Sequence, residues 1–231
     1  SVSVHLLEGF PLLQSLTRGE LESLSGHMHL RSFARKAMVL SKSDSLHELG
    51  FLVEGRLQGL DFTVDGRSVG LYFVDPGDYF GELTMVDGQA PAEFIMATMK
   101  STVAFVDTSI ARQVILGHQE LARAVMMRLA RRIRLITAQR TLLSLPTPFQ
   151  RLCGLLLQLP TQPLDNLTTI EPVPTHQELA IMVNLTRESV SRVFQLLQGR
   201  SIVERDGNDL LVLAPAQLTA WAEGAEVAAA T

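Results

Sequence analysis

The chain has 231 residues, 46% of them hydrophobic, enough to bury one or two modest cores. A formal net charge of -4 excludes a uniformly basic nucleic-acid coat while leaving local patches open. The single cysteine, Cys153, excludes an internal disulfide and a four-cysteine iron–sulfur cluster.

The opening stretch, SVSVHLLEGFPLLQSL, has no basic leader region and no long apolar core, so no signal peptide is expected. No apolar run approaches the roughly 20 residues a membrane helix needs. A soluble, cytoplasmic protein follows from these two readings. Leu12, Leu13, Leu16, Leu21 and Leu24 fall at helix-compatible spacing, which predicts short helices up to about residue 27.

From about Leu30 to Val106 the pattern changes to short apolar or alternating runs. Gly55, Asp65-Gly66, Pro76-Gly77 and Asp87-Gly88 punctuate them with residues suited to turns. Many short strands at even spacing predict an antiparallel barrel or jelly roll.

Helical texture returns at about Thr108. Met126, Leu129, Ile133, Ile136, Arg140 and Leu143 are spaced alternately by three and four, a heptad-like seam among many arginines. Such a helix could pack on its own barrel. The arginine-dense remainder leaves one narrow apolar stripe, which favours self-pairing in a dimer. Pro146 and Pro148 stop the helix and predict a hinge before a second domain.

In that domain Thr175 precedes Glu178 by three, a capping box that starts a helix from about His176 to Val183. Asn184 suits the left-handed break, Thr186 caps a second helix running to Gln198, and Gly199 closes it. Val190, Val193, Phe194 and Leu197 form its apolar side, with Arg187, Glu188, Ser191 and Arg192 on the other. The following SIVERDGNDLLVL reads as a strand–turn–strand wing. Together these predict a winged helix-turn-helix, whose second helix enters the DNA major groove N-terminal end first. Arg forks suit guanine, Glu suits the cytosine amine, and Thr175, Gln177, Thr186 and the helix N-termini suit phosphates. A merely solvated helix pair would show the spacing without the capping box, tight turn and wing.

LTRESVSRVF followed by a short wing resembles the recognition helix of the catabolite activator/FNR (CRP/FNR) family of bacterial transcription regulators. FLVEGRL, DPGDYFGEL and the arginine-bearing long helix occur in the family's order, so the resemblance covers almost the whole chain. It implies an α+β protein: an N-terminal cyclic-nucleotide-binding-type β-roll (jelly roll), a long dimerisation helix and a C-terminal winged helix-turn-helix. The expected domains are 1–117, 118–145 and 146–231. The resemblance also implies a homodimer on a palindromic site in double-stranded DNA, and RNA polymerase as a partner. The family's base readers fall on Arg187, Glu188 and Arg192, and the variant of its FNR branch on Glu188, Ser191 and Arg192. Both patterns imply half-sites with a TGA core.

The sensor half departs from the family. Members that bind cyclic AMP follow GEL with an Arg-Ser pair whose arginine holds the cyclic phosphate, while the GEL glutamate holds the ribose. Gly81, Glu82 and Leu83 are present here, but the pair is replaced by Pro91 and Ala92, followed by Glu93. Proline supplies neither charge nor N–H to a phosphate, and Glu93 would repel one. The pocket Gly81, Glu82, Leu83, Pro91 and Ala92 is therefore expected to have lost cyclic nucleotides. The cluster-binding branch is disfavoured too, since its N-terminal cysteines are missing.

The effector remains open between haem, with His5, His27, His29, His47 or Met28 as ligands, a small metabolite, and none. His27 and His29 are also similar to the H-x-H of metal-binding cupins, so a metal-dependent cupin-type enzyme with a C-terminal packing domain is the alternative function. No third or fourth metal ligand has suitable spacing. A cyclic-nucleotide-binding subunit without DNA binding is disfavoured by the recognition helix and Pro91. The reading adopted is a non-enzymatic, sequence-specific DNA-binding regulator controlled through the roll.

Overall fold

The computed structural model describes residues 2–43, 47–64, 66–164 and 167–225. Its contacts divide the chain into two compact units, Ser1–Ile133 and Arg134–Thr231. The first opens with α1 (Val4–Glu8), a 3-10 turn at Pro11–Leu13 and α2 (Arg18–Gly26). Helix α2 starts at a capping box: Glu20 N–H donates to Thr17 Oγ1 at 3.4 Å, and Thr17 N–H to Glu20 Oε2 at 2.8 Å.

The strands β1 (His29–Phe33), β2 (Met38–Leu40), β3 (Glu48–Glu54), β4 (Leu57–Phe62), β5 (Ser68–Val74) and β6 (Tyr79–Phe80) follow. After α3 (Glu82–Asp87) come β7 (Phe94–Ala97) and β8 (Ser101–Asp107). They pair antiparallel into two sheets ordered β1-β8-β3-β6 and β2-β7-β4-β5. Residues at alternate positions point to opposite faces of a sheet. On β3, Leu52 joins Leu57, Val74, Ile95 and Phe105 between the sheets. Leu49 and Phe51 face the other way, onto the N-terminal helices. Burial on both faces explains why ELGFLVE reads as a nearly continuous apolar run. The expected turn glycines 55, 66, 77 and 88 all have positive φ. Asp65 lies outside the described residues.

One local reading needs correction. The segment after GDYF is helical, not strand, because Gly81 at φ +88 reverses the chain into α3. The strand pattern is misleading there since the six residues of α3, under two turns, are too few to display a 3.6 period.

Helix α4 (Thr108–Gly117) is capped by Asp107, whose carboxylate accepts from Ser109 N–H at 2.7 Å. An extended residue, His118, separates it from α5 (Gln119–Leu143). The division between the compact units falls inside α5, between Ile133 and Arg134, rather than at the prolines. The reason is packing. Leu121 and Val125 are buried in the first unit, whereas Gln139 donates to Met182 O at 3.1 Å and Leu142 lies against Gly154 in the second. By contacts, the expected dimerisation helix is shared between the two units.

The second unit continues with α6 (Pro148–Gln158), capped by Thr147 with Pro148 in its first turn. Then come β9 (Gln162–Leu164), β10 (Leu167–Ile170), α7 (His176–Met182), α8 (Arg187–Gly199), β11 (Val203–Asp206), β12 (Asp209–Val212) and α9 (Pro215–Ala222). The wing hairpin β11-β12 is extended by β10 and β9 into a four-stranded sheet. Buried Leu218 and Trp221 anchor α9, and the Trp221 ring lies 4.8 Å from that of Phe149 on α6. The sequence AEGAEVAAAT at 222–231 reads as a frayed helix or tail, and its part after residue 225 lies outside the described residues. No helix among the described residues is long and apolar enough to cross a membrane.

A Cβ added at Gly154 would lie 2.4 Å from Leu142 Cδ1, so α6 and α5 meet through a missing side chain. Gly154→Ala should destabilise the second unit by about 1–3 kcal/mol through overpacking. Adding Leu142→Val should recover part of that loss, read as a positive coupling in denaturant unfolding.

Candidate DNA interface and effector site

Helix α7 begins where Thr175 Oγ1 accepts from Glu178 N–H at 3.3 Å and Thr175 N–H donates to Glu178 Oε2 at 2.7 Å. Asn184 takes φ +52 in the break, and Leu185 N–H closes back on Ala180 O at 2.9 Å. Thr186 then caps α8 by accepting from Ser189 N–H at 3.1 Å. Val190, Val193, Phe194 and Leu197 are buried, a spacing of three, one and three that lays one stripe against the unit's core.

On the other side Arg187, Glu188 and Arg192 are exposed, and none hydrogen-bonds or ion-pairs with another described residue. They are free to meet an incoming surface. Gln177 is exposed on the first turn of α7. The two threonines differ. Thr175 also directs its hydroxyl to Glu178 Oε2 at 3.0 Å, so its proton is committed to the cap, whereas Thr186 Oγ1 shares a 2.9 Å contact with Ser189 Oγ. Ser191 is half-buried, and its Oγ lies 2.9 Å from His176 Nδ1.

His176 escapes the sequence reading. Its ring stacks on Phe194 with centroids 4.7 Å apart and planes 21° off parallel. Burial, then the Arg205 and Arg187 guanidinium groups, hold its pKa below the ordinary imidazole range. The wing carries exposed Glu204 and Asp206, and Arg205 Nε donates to Gly207 O at 3.2 Å. Cations for a polyanion are therefore concentrated on α8.

In the roll, Gly81 can be nothing larger: besides its positive φ, a Cβ would sit 2.7 Å from Glu48 O. The turn it makes buries Glu82 completely, at 0% exposure, while Leu83 is half-buried. Pro91 is buried, Ala92 is exposed and Glu93 is buried. What faces these acids comes from α5. Arg132 donates to Glu82 Oε1 at 2.7 Å and to Glu93 Oε1 at 2.6 Å. Arg128 pairs with Asp78, donates to Tyr79 O, and brings its Nε to 3.6 Å from Glu82 Oε1. Each guanidinium also lies over a ring, Arg132 over Tyr72 at 4.1 Å and Arg128 over Tyr79 at 4.2 Å.

Tyr72 OH completes the cluster by donating to Glu93 Oε1 at 2.7 Å. Burial and the Glu93 charge hold this phenol well above its usual pKa, so it remains a donor. Burial likewise raises Asp78, against the pull of Arg128. Three carboxylates face two guanidinium groups here, and Glu82 Oε2 has no hydrogen-bond partner among the described residues. The sequence reading treats Glu93 as an uncompensated charge and overlooks Arg128 and Arg132. A signal for them exists: Leu121, Val125, Arg128 and Arg132 recur at four, three and four, so both arginines lie on the helix face that is buried.

The seam residues divide. Met126, Ile133 and Ile136 are 62%, 65% and 52% exposed, and Arg140 is exposed as well. Leu129 is half-buried against the roll's core, and Leu143 is half-buried too.

Among the suggested haem or metal ligands, His5 pairs with Glu8 at 3.3 Å, Met28 is buried, and His27 caps the end of α2. His29 stacks on Phe105 and lies 3.3 Å from Glu48. Among the described residues, no three or more His, Cys, Asp or Glu side chains are grouped to hold a metal ion.

Two family models match the chain: the cyclic nucleotide-binding domain over residues 30–118 and the Crp-like helix-turn-helix domain over residues 150–221. No curated protein matches it. Among solved structures, a CRP-family transcriptional regulator from Thermus thermophilus is similar at 27% identity and TM-score 0.63, covering 86% of this chain and 100% of that one. FixK2 from Bradyrhizobium japonicum is similar at 20% identity and TM-score 0.70, covering 88% and 99%. A CooA mutant from Carboxydothermus hydrogenoformans is similar at 17% identity and TM-score 0.75, covering 94% and 95%.

Removing one partner of a buried ion pair costs about 3–5 kcal/mol, since the other charge stays buried without compensation. Arg132→Met should lower the melting temperature of the first unit by many degrees. Arg123→Met, on an exposed position of the same helix, should leave it nearly unchanged in the same thermal scan.

Proposed function

This chain belongs to the catabolite activator/FNR family of transcription regulators, and from that membership we propose that it works as a cytoplasmic homodimer reading a two-fold symmetric DNA site. The observation that carries the reading is the N-terminal half of α8, where Arg187, Glu188 and Arg192 stand exposed on a helix anchored by its opposite face. An arginine fork suits guanine O6 and N7, and a glutamate suits the cytosine amine. Half-sites with a TGA core fit that pair of chemistries. Gln177 and the Thr186 hydroxyl, together with the helix N-termini, supply phosphate contacts that set register. Thr175 contributes through its cap, its hydroxyl proton being held by Glu178.

The dimer reading rests on Met126, Ile133 and Ile136, a stripe of large apolar side chains left exposed on α5. Two copies would bury it and set their recognition helices about 34 Å apart, one turn of DNA. RNA polymerase is the further partner this family role implies.

The effector reading rests on Arg132. The acids of the roll already have their cation, from the chain's own helix, and Pro91 and Ala92 offer no second one. A cyclic nucleotide's phosphate therefore meets no free cation at these residues, and the effector on this reading is a molecule other than cyclic AMP, or there is none. The roll acts on DNA binding through α5, biasing a two-state arrangement of the helix pair. The regulator is not an enzyme on this reading. The cupin alternative draws on His27 and His29, which are engaged with a helix end and with Phe105 and Glu48.

Arg187→Ala and Arg192→Ala should each cost about 1–3 kcal/mol in operator affinity and relax specificity at one base position. Fluorescence anisotropy with labelled duplexes tests this; unchanged affinity and specificity in both variants would remove α8 from its role. Ile133→Asp should give a monomer by sedimentation and weaken operator binding together with it. A dimer that survives this change would place the interface elsewhere.

A further inference from the structure

The contact between α7 and α8 contains a hydrogen bond with no structural necessity. Stacking of His176 on Phe194 would hold the two helices with any aromatic ring at 176. Yet the ring is turned so that Nδ1 lies 2.9 Å from Ser191 Oγ. Ser191 sits two turns or fewer from the start of α8, between the exposed Glu188 and Arg192, where base contacts are made.

A serine hydroxyl is both donor and acceptor, and alone it discriminates poorly between bases because it rotates to suit either. A partner that takes one of these roles fixes the other. We propose that His176 is a specificity-determining positioning residue, which binds the Ser191 proton through Nδ1 and leaves Ser191 facing DNA as a hydrogen-bond acceptor. This inference rests on the regulator reading above.

Its chemistry is explicit. In the neutral ring with the proton on Nε2, the intrinsically favoured tautomer of a histidine side chain, Nδ1 is an acceptor and Ser191 O–H points to it. The remaining lone pairs of Oγ then suit the amino groups of adenine N6 or cytosine N4. When the ring gains a proton, Nδ1–H becomes the donor, Ser191 Oγ accepts from it, and the serine proton is released toward the groove. Ser191 then suits the carbonyl edges of guanine or thymine. The charged groups facing the ring are Arg187 on α8 and Arg205 on the wing, which together with burial resist that protonation. Phosphates of bound DNA act in the opposite sense, so the changeover in the complex comes at a higher pH than in the free protein.

The test is selection from a library randomised over one half-site, at about pH 7.5 and about pH 5.5. Ser191→Ala first identifies the base position that Ser191 reads. At the higher pH the wild type should prefer an amino-bearing base there. His176→Phe keeps the stack but cannot accept the proton, and should reduce that preference roughly three- to tenfold while leaving other positions within about twofold. His176→Asn, whose amide oxygen can stand where Nδ1 stands, should restore much of it. At the lower pH the wild-type preference should move toward carbonyl-bearing bases, and neither His176 variant should follow.

An unchanged preference in His176→Phe, or an equal loss at every position, overturns the inference and leaves the regulator reading intact. A carbonyl preference at Ser191's position at the higher pH overturns it as well. A wild type that selects no sequence at all removes the regulator reading itself. Melting curves of the variants separate lost folding from lost discrimination, with His176→Asn as the second variant should Phe prove too large.

Discussion

A carboxylate that is fully buried must have a cation, and much of this molecule is arranged around that requirement. Glu82 is carried into the interior by the reversal at Gly81. The guanidinium that meets it, Arg132, comes from 50 residues further along the chain. Taking both charges out of water costs several kcal/mol each, so the pair persists only with good geometry and further hydrogen bonds. Arg132 has these in Glu93, and Glu93 has them in Tyr72. Arg128 repeats the arrangement one turn earlier with Asp78. The result seats one face of α5 on the roll by charge as well as by Leu121 and Val125, which fixes the rotation of the helix about its own axis. Met126, Ile133 and Ile136 are turned outward as a consequence.

Most of the architecture was legible in the sequence because it depends on local signals. The capping box at Thr175, the left-handed Asn184 and the turn glycines each state a backbone conformation within four residues. The apolar stripe of α8 is visible for the same reason, its period being set by the helix itself. What was not legible depends on long-range packing. No local pattern tells that Arg132 will face Glu93, since a charged residue on a helix is usually solvated. The boundary between the compact units is another case. Pro146 and Pro148 mark where α5 must stop, but not where its neighbours change from the roll to α6 and α7. His176 stays hidden because an aromatic side chain in a helix's first turn looks like ordinary packing until its ring nitrogens are placed.

The two units use polar groups in opposite ways. In the roll the acids of the cluster are met from within except at one oxygen of Glu82, three carboxylates sharing two guanidinium groups. On α8 the strong donors are left unpaired at the surface, while the weaker hydroxyls of Thr175, at the start of α7, and Ser191 are engaged by Glu178 and by His176. Arginine forks carry most of the energy of a base contact, but a free hydroxyl that can donate or accept adds little discrimination. For the proposed role in reading DNA, restricted hydroxyls and free arginines are what would make a helix N-terminus select sequence rather than bind phosphate alone.

Helix α5 takes part in both compact units and carries the exposed stripe between its two attachments. In the first unit it is attached through Arg132 and Glu82, and in the second Gln139 donates to Met182 O at the end of α7. The pairs that resist turning are the buried ones, Arg132 with Glu82 and Glu93, and Arg128 with Asp78. At these acids a guanidinium can be exchanged only for other hydrogen-bond donors or positive charge, which the oxygens of an anionic phosphate do not supply.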